Sequence, residues 1–557
     1  MMKIVECVPN ISEGQNPDIY NTVAQACESA AGVKLLDVDP GAATNRTVIT
    51  FAGPPETIAD GAFALIAKAK ELIDMRTQKG EHPRMGATDV CPFVPVGGVT
   101  MDDCVEIAKQ LAKRVGEELG VWVYLYEYAA SKPEWQNLAN ARKGEYEGLA
   151  DRIGKPEWKP DFGPEELDPK FGAVAIGARK FLVAYNINLN STNRKMARDI
   201  AFNIREKGRS KREYYPDGEI VRNPAGKPVK VPGMFQHCKA GAWIIPEYNR
   251  AQITMNLTDM EVTPVHSVFD EVAKQAAERG MRVTGSEIVG LVPLQSILDA
   301  GRHYLQKQEL SSAVCEAELV RTAVLSLGLN DVSEFVSDEK IVEYRLKRKE
   351  SLGKMSLEEF ADTLASDAPA PGGGSTAALC GVLASALAAM VTNLTHGKNE
   401  YKEHWDEMEE VGVAGQRLKE WYIAAIDRDT DAFNAVMDAM RMPKNTDAQK
   451  AAQSEAMEKV NQHAASVPLE MLEKALEVTP LLLSAAERGN VNSVSDAGVG
   501  AHCLLACAEG AALNVIINML NINDDDFKDD CRKRVEEALT NIRKECKEVI
   551  EVVRGKL

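Results

Sequence analysis

The chain has 557 residues, enough for three to four domains at roughly 150 residues each, so a single core is excluded. Its 65 Lys plus Arg are outweighed by 83 Asp plus Glu, a net charge of −18. That balance argues against nonspecific binding of nucleic acid or of an anionic membrane, though not against an anionic ligand in a local basic pocket. A 45% apolar and 27% charged content is that of a globular chain and excludes a largely disordered or fibrous one.

In chain order, Lys3–Val8 reads as a strand, Pro17–Ala31 as a helix, and Val33–Asp39 and Thr47–Ala52 as strands, from their β-branched and alternating apolar residues. Pro54–Ile73 follows as a helix whose prolines suit a first turn, then the strand Asp89–Val96 and the helix Asp102–Leu119. The order β-α-β-β-α-β, with a further helix and strand, is that of the ferredoxin-like split βαβ fold. It recurs: strand Lys180–Leu189, helix Thr192–Lys207, strands Ala240–Ile245 and Gln252–Leu257, helix Pro264–Arg279, strand Met281–Leu294. Val94-Pro95-Val96 in the first half matches Val292-Pro293-Leu294 in the second, each before a helix. Lys207–Gly233, polar and rich in Gly and Pro, interrupts the second lobe as a surface insertion or hairpin.

From Ser356 onward strand-like runs vanish and Ala, Glu, Leu, Met and Lys dominate, the mark of an all-α bundle. Its helices are expected to break at Pro371–Gly374, Gly397, Pro443, Pro468 and Gly489–Asn492. The expected fold is therefore α+β then all-α: lobes over 1–179 and 180–343, a linker over 344–355, and a helical domain over 356–557. Tyr344–Lys354 reads equally as connector or as a solvated helix end. Thr376–Thr395 carries no charge, but its Ala, Ser, Thr and Asn content is weakly apolar, which favours a buried bundle helix over a membrane segment. The eleven cysteines show no paired CxxC spacing. Cys7, Cys91, Cys104, Cys315, Cys380, Cys503 and Cys507 lie in apolar runs and read as free, mostly buried thiols of a reducing compartment, with no zinc site. Met1–Ser12 has one Lys and no long apolar stretch, so no signal peptide is expected there.

Reactive side chains are densest in Lys79-Gly80-Glu81-His82-Pro83-Arg84-Met85-Gly86. A loop histidine stiffened by Pro83 can shuttle protons near neutral pH; a plain surface histidine is the alternative. Asp39 ends one strand and Asn45-Arg46 opens the next, so their turns could reach the same site. Gly163, Gly172 and Gly177, followed by Arg179-Lys180, offer close backbone approach and two cations to a carboxylate or a pterin edge. No Rossmann or P-loop pattern occurs. Gly372, Gly373 and Gly374 precede Ser375, either as an anion-binding helix N-terminus capped by Ser375 or as a linker.

Leu418, Tyr422, Ala425, Asp429, Phe433, Val436 and Met440 recur at helical spacing and form one stripe with Asp429 in its middle, while Asp427 and Asp431 fall on the opposite, solvated side. A carboxylate on an apolar face is costly unless it is paired or functional, and burial raises its pKa. A structural Asp bonded to a helix end is the other reading. Asn514 and Asn518, one turn apart, and Asp496 at the start of the preceding helix could line the same interior; such amides also commonly bond neighbouring helices.

Taken with Val5–Asn10, Thr44–Val48, Asp161-Phe162-Gly163-Pro164, Gly177–Phe181, Asn186-Ile187-Asn188, Pro371–Ser375 and Pro443-Lys444-Asn445-Thr446, these residues make the chain resemble, nearly end to end, the bifunctional formimidoyltransferase-cyclodeaminases of histidine degradation. The resemblance implies transfer of a formimino group from N-formimino-L-glutamate to tetrahydrofolate, then cyclisation to 5,10-methenyltetrahydrofolate with release of ammonia. It implies His82 as acid/base of the first step, with Asp39 orienting it, and Asp429 as proton carrier of the second. Gly163 through Gly172, including Pro164, correspond to the folate-binding stretch. Gly177, Asn45, Arg46, Arg84 and the Arg179-Lys180 pair are added as partners of folate or of substrate carboxylates. Tetrahydrofolate, in some cases polyglutamylated, is then a cosubstrate with no metal; partners are small molecules and further copies of the chain, and the expected location is cytoplasmic. The Lys207–Gly233 insertion looks longer than in animal members.

Overall fold

The computed structural model describes all residues except 1–2, 42–44, 81–83, 216, 246–248 and 347–350. The chain divides into two compact units, Met1–Ala300 with Val324–Lys347, and Gly301–Ala323 with Arg348–Leu557.

The first unit opens with strands β1 (Ile4–Cys7) and β2 (Asn10–Ile11), helix α1 (Pro17–Gln25), strands β3 (Lys34–Gly41) and β4 (Arg46–Gly53), and helix α2 (Ile58–Leu72). Strand β5 (Thr88–Gly97), helix α3 (Met101–Glu118), strand β6 (Trp122–Glu127), the short helix α4 (Leu138–Ala141) and strand β7 (Ala173–Ala178) complete the lobe. The expected helix through Ala31 is α only to Gln25, after which Ala26–Ser29 tightens to a 3-10 turn. In the seven-stranded sheet β3 pairs β4, β4 pairs β1 and β2, and these pair β5, all antiparallel. This is the ferredoxin-like order; β7 and then β6 extend it in parallel from β5. Val5, Cys7, Phe51 and Phe93 bury one sheet face against α1, α2 and α3.

The second lobe repeats the pattern with β8 (Val183–Leu189), α5 (Arg194–Ile204), β9 (Arg209–Ser210), β10 (Lys230–Val231), β11 (Cys238–Ile245), β12 (Arg250–Leu257), α6 (Val265–Glu278) and β13 (Val283–Val289). Its four-stranded sheet has the order β11-β12-β8-β13, the same antiparallel arrangement. The insertion is a hairpin: β9 pairs β10, with bridges Arg212–Ile220 and Arg222–Pro228 beyond it. The Val-Pro repeat is not structural. Pro95 lies within β5, paired with Val5, whereas β13 ends at Val289, Gly290 turns the chain at φ 75°, and Val292 bridges to Ile341.

Helices α7 (Leu294–Lys307) and α8 (Glu316–Leu327) and the short α9 (Ser337–Lys340) and α10 (Val342–Leu346) follow. In the second unit come α11 (Leu357–Leu364), α12 (Gly373–Asn393), α13 (Trp405–Met440), α14 (Asp447–Arg488), α15 (Val494–Met519) and α16 (Asp525–Lys556). Gly301–Ala323 packs here, with Ser311 and Ser312 donating to the Glu409 carboxylate. Among the described residues α12 and Val491–Met519 are long and apolar enough to cross a membrane. Alanines 377, 378, 384 and 388 of α12 are buried in the bundle core, and small side chains let neighbouring helices close on it. The Tyr422 ring lies directly on Gly381, where a Cβ would meet it at 2.5 Å.

Pro468 does not break the bundle. Helix α14 runs through Pro468 and Pro480, and the carbonyls that each proline leaves without a helical donor are met by side chains. Asn518 Nδ2 donates to Ala464 O at 2.7 Å, and Thr479 Oγ1 to Leu476 O at 3.2 Å. All eleven cysteines are free; Cys315, expected to be buried, is exposed, because it immediately precedes α8.

Candidate active sites

Strands β4, β5, β7 and β6 all begin at one end of the large sheet, as the register pairs Asn10 with both Val48 and Val90, and Val90 with Ala175. Several of the expected transferase residues gather there. Asp39 lies exposed near the end of β3, paired with Val48, and Gly41 pairs with Arg46. Asn45 donates to Lys79 O at 2.9 Å and accepts from Gly14 N at 3.0 Å. Ser12 Oγ donates to Gly86 O at 2.7 Å. Gly86 bridges to Gly172, which has φ 82° and no room for a side chain, since a Cβ would meet Met85 O at 2.3 Å. Gly163 closes against Val121 O, and Pro164 O accepts from the Trp122 indole at 2.8 Å. His82 itself lies outside the described residues, as does Thr44.

The group contains two residues that sequence reasoning missed. Glu13 is buried and accepts from Gln78 Nε2 at 2.9 Å and from Gln15 and Asn16 backbone amides. With Asn45, Gln78 and Lys79 it lines a cavity of about 570 Å³. The signal was a Ser-Glu-Gly turn directly after a strand whose neighbours had already been singled out.

Arg46 and Arg84 reach inward. Arg46 donates to Asn10 Oδ1 at 3.0 Å and to Asp89, and Asp89, wholly buried, also receives Arg142 at 2.8 Å. Arg84 donates to Gln78 O at 2.8 Å and to Glu147 at 3.0 Å, while its buried Nε has no partner. Gly177 sits within β7 against Tyr126, and Arg179 and Lys180 follow the far end of that strand. The six residues of β7 put them about 20 Å from Gly172. Lys180 there pairs with Asp259 and, at 3.3 Å, with Glu261. The structure does not bring this pair to the group around Gly86.

In the helical unit α12 and α13 run antiparallel, and Gly412, Gly415, Tyr422 and Asp429 meet α12 in turn from Thr392 back to Gly374. Asp429 therefore lies at the α12 N-terminus. A Cβ on Gly374 would come within 2.1 Å of Asp429 Oδ1, so glycine is what admits the carboxylate. Ser375 Oγ, fully buried, is 3.1 Å from Asp429 Oδ2 and 3.2 Å from Ile426 O. Burial pushes the Asp429 pKa up; the hydroxyl and backbone N–H of Ser375 pull it partly back. Ser375 is not the helix cap: Gly372 is, with no side-chain cap bond, because the glycines let the helix start earlier. Gly373 faces Asn514, whose Nδ2 would be 3.3 Å from a Cβ there.

Several expectations change. Phe433 and Met440 are 38% and 49% exposed, since α13 continues past the start of α12 and loses its partner; Ala432 and Ala439 take the buried positions. Asp427 is not on a solvated side: it accepts from Ser351 Oγ at 2.6 Å and Leu352 N at 2.8 Å. Asp496 and Asn514 belong to one helix, α15, and are about 27 Å apart along it, so Asp496 is not at this site. Asn518 serves α14, as described above. Among the described residues no three His, Cys, Asp or Glu side chains are grouped to hold a metal.

Fold and sites define a two-part chain: a duplicated α+β unit with polar loops gathered at one sheet end, and a helical bundle carrying a desolvated carboxylate at the N-terminus of its most apolar helix. Family models for the formiminotransferase domain, N-terminal subdomain, the formiminotransferase domain, and formiminotransferase-cyclodeaminase match residues 4–179, 184–347 and 356–537. The chain is 40% identical to the formimidoyltransferase-cyclodeaminase of Rattus norvegicus, over 97% of this chain and 96% of the relative. It is 43% identical to the glutamate formimidoyltransferase of Thermoplasma acidophilum, over 55% of this chain and 93% of that one. It is 38% identical to the methenyltetrahydrofolate cyclohydrolase of Methylorubrum extorquens, over 37% of this chain and 99% of that one. The chain belongs to the formimidoyltransferase-cyclodeaminase family.

Proposed function

We propose that this enzyme transfers the formimino group of N-formimino-L-glutamate to N5 of tetrahydrofolate, releasing glutamate, and then closes the product to 5,10-methenyltetrahydrofolate with loss of ammonia. The observation that carries this reading is the match of one chain, at both of its halves and in order, to full-length relatives bearing both activities in their name. The reactions belong to histidine degradation.

In the first step the folate amine attacks the formimino carbon, and the tetrahedral intermediate collapses when a proton moves from the incoming nitrogen to the leaving one. His82 is the proton carrier, with Asp39 orienting it. The sheet end where Asn45, Gln78, Lys79 and Gly172 meet supplies the polar cradle. In the second step N10 attacks the amidine carbon and ammonia departs. Asp429 takes the N10 proton and returns one to the leaving amine. A raised pKa suits a carboxyl that must both hold and release a proton. Phe433, exposed one turn beyond it, offers apolar surface to a pterin, and Asn514 a polar contact.

Formiminoglutamate and tetrahydrofolate supplied together should yield ammonia and the methenyl product from the single chain; formylglutamate turnover without ammonia would reject the reading. The cyclohydrolase relative favours a second reading for the helical unit, hydrolysis of methenyltetrahydrofolate. Supplied with the methenyl compound alone, an enzyme of that kind consumes it by hydrolysis, whereas a cyclodeaminase makes ammonia from the formimino compound.

The cosubstrate is tetrahydrofolate, with or without a polyglutamyl tail, and no metal takes part. The enzyme works as a homo-oligomer: Leu383 and Met390 on α12, Leu513 and Ile517 on α15 and Leu520 just after it are exposed apolar residues that support self-association. The unpaired cysteines support a cytoplasmic location.

A further inference from the structure

In a chain with a net charge of −18, positive charge collects at one place in the second lobe that the proposed chemistry does not use. Between α5 and the β9–β10 hairpin lies a cavity of about 380 Å³, and Asp199 is the one acid among the described residues that line it. Asp199 is buried and shared by Arg209 and Arg279, and Lys195, also on the cavity, pairs with Asp217. Arg198, Arg205, Lys207, Arg212 and Lys230 line the same space with no carboxylate partner among the described residues. Glu213 and Glu219 stand on the hairpin but do not line it.

The cations are positioned rather than scattered. The Phe202 ring carries Arg205 at 3.8 Å, Arg198 at 5.0 Å and Arg209 at 5.9 Å from its centroid, and Tyr215 packs on Arg209 at 4.2 Å. Backbone carbonyls fix two of the forks: Arg205 donates to Gly208 O at 2.8 Å and Arg212 to Gly218 O at 2.6 Å. Arg209 is 8% exposed, and its buried Nε has no hydrogen-bond partner. Burial and the like charges of Arg198 and Arg209 both push the Arg205 pKa down. Guanidinium groups gathered around one ring repel one another, and oxyanions placed between them offset that repulsion through charge-assisted hydrogen bonds.

We infer that this cavity binds a multivalent oxyanion, either an oligocarboxylate or a polyphosphate. A monovalent ion would answer only one of the unpaired cations, and a neutral ligand none. The volume lies in the range of small-molecule sites.

The test is calorimetric titration of the full chain with tri-γ-glutamate and, separately, with inorganic tripolyphosphate at about 0.1 M salt. At least one should bind in the micromolar range. The R198A/K207A double variant, at two exposed positions, should weaken that binding by at least about tenfold, whereas Lys544→Ala, an exposed cation of the other unit, should leave it unchanged. Preference for the peptide assigns the site to a polyglutamyl tail, and preference for the phosphate assigns it to a phosphorylated effector. Binding of neither compound, or equal binding by the double variant, overturns the inference. The readout is binding without turnover, so either result is independent of the two catalytic assignments.

Discussion

Asp89 in the sheet unit and Asp429 in the helical unit are both carboxylates withdrawn from water, and they are satisfied in opposite ways. Asp89 is completely buried and receives two guanidinium groups, Arg46 and Arg142, together with the Met85 backbone N–H at 2.9 Å. Asp429 is half-buried and has the hydroxyl and N–H of one serine, no cation among the described residues, and the open Cα of Gly374 beneath it. A buried carboxylate held by two guanidinium groups and a backbone N–H is a structural anchor. One left short of partners at a helix N-terminus trades protons at modest cost. Burial alone does not separate the two roles; the completeness of the partner set does.

The largest expected effect follows from that contrast. Asp89→Ala leaves Arg46 and Arg142 as uncompensated buried charges, at a cost of about 3–5 kcal/mol. Urea unfolding followed by tryptophan fluorescence should show the sheet unit's transition, reported by Trp122 and Trp135, moved to much lower denaturant. A midpoint within experimental error of the parent would show that the ion cluster is not the anchor described.

Asp429→Asn should do the reverse. Ring closure falls roughly 100-fold or more, while formimino transfer and the fold persist, and His82→Ala gives the complementary loss. Loss of both activities in either variant would mean that the two sites are not separate. The pH dependence of stability gives an independent sign. Burial raises the folded-state pKa of Asp429 above its ordinary value, so the folded chain holds the proton more tightly. Its stabilising contribution is present below the usual aspartate range and is lost as pH rises through the raised value. Asn cannot ionise, so D429N should melt at or above the parent's temperature at about pH 8, and the gap should close towards about pH 4.

A smaller effect is expected at Gly374→Ala. The added methyl meets the carboxylate oxygens at 2.1–2.6 Å and must push them off the helix end. Alanine in the first turn of α12 costs the helix nothing, so stability should hold while ring closure drops about tenfold. Unchanged ring closure would show that the position of the carboxylate over α12 is immaterial.

Much of this contrast was legible in the chain. Both ferredoxin-like orders followed from strand alternation, because each strand buries one face, and the position of Asp429 followed from helical spacing. Spacing could not show where the neighbouring helix begins. The stripe therefore ran on to Phe433 and Met440, which α12 no longer covers, and Asp427 read as solvated although the Ser351–Leu352 turn folds onto it. Pro468 read as a break because the donor that replaces its missing N–H comes from Asn518, fifty residues downstream. The strand ends also hid a distance: Gly172 and Arg179 are close in sequence yet lie at opposite ends of β7.

Asn514 and Asn518 provide the finest test, being one turn apart on α15 and read alike from the sequence. Asn518 spends its amide on Ala464 O, a carbonyl that has no helical donor because Pro468 lacks an N–H. Asn518→Ala should therefore cost about 1 kcal/mol of stability and leave the KM and kcat of ring closure near the parent's. Asn514 bonds Gly510 O within its own helix and faces Gly373 at the carboxylate's end of α12. Asn514→Ala should raise KM for the formimino compound with little loss of stability. The Pro468→Ala background makes the distinction sharper: with a helical N–H restored, Ala464 O no longer needs the amide, and Asn518→Ala should become nearly neutral, while the Asn514→Ala effect stays as large as before. Equal penalties for Asn518→Ala with and without the proline would mean that the amide is held for another purpose.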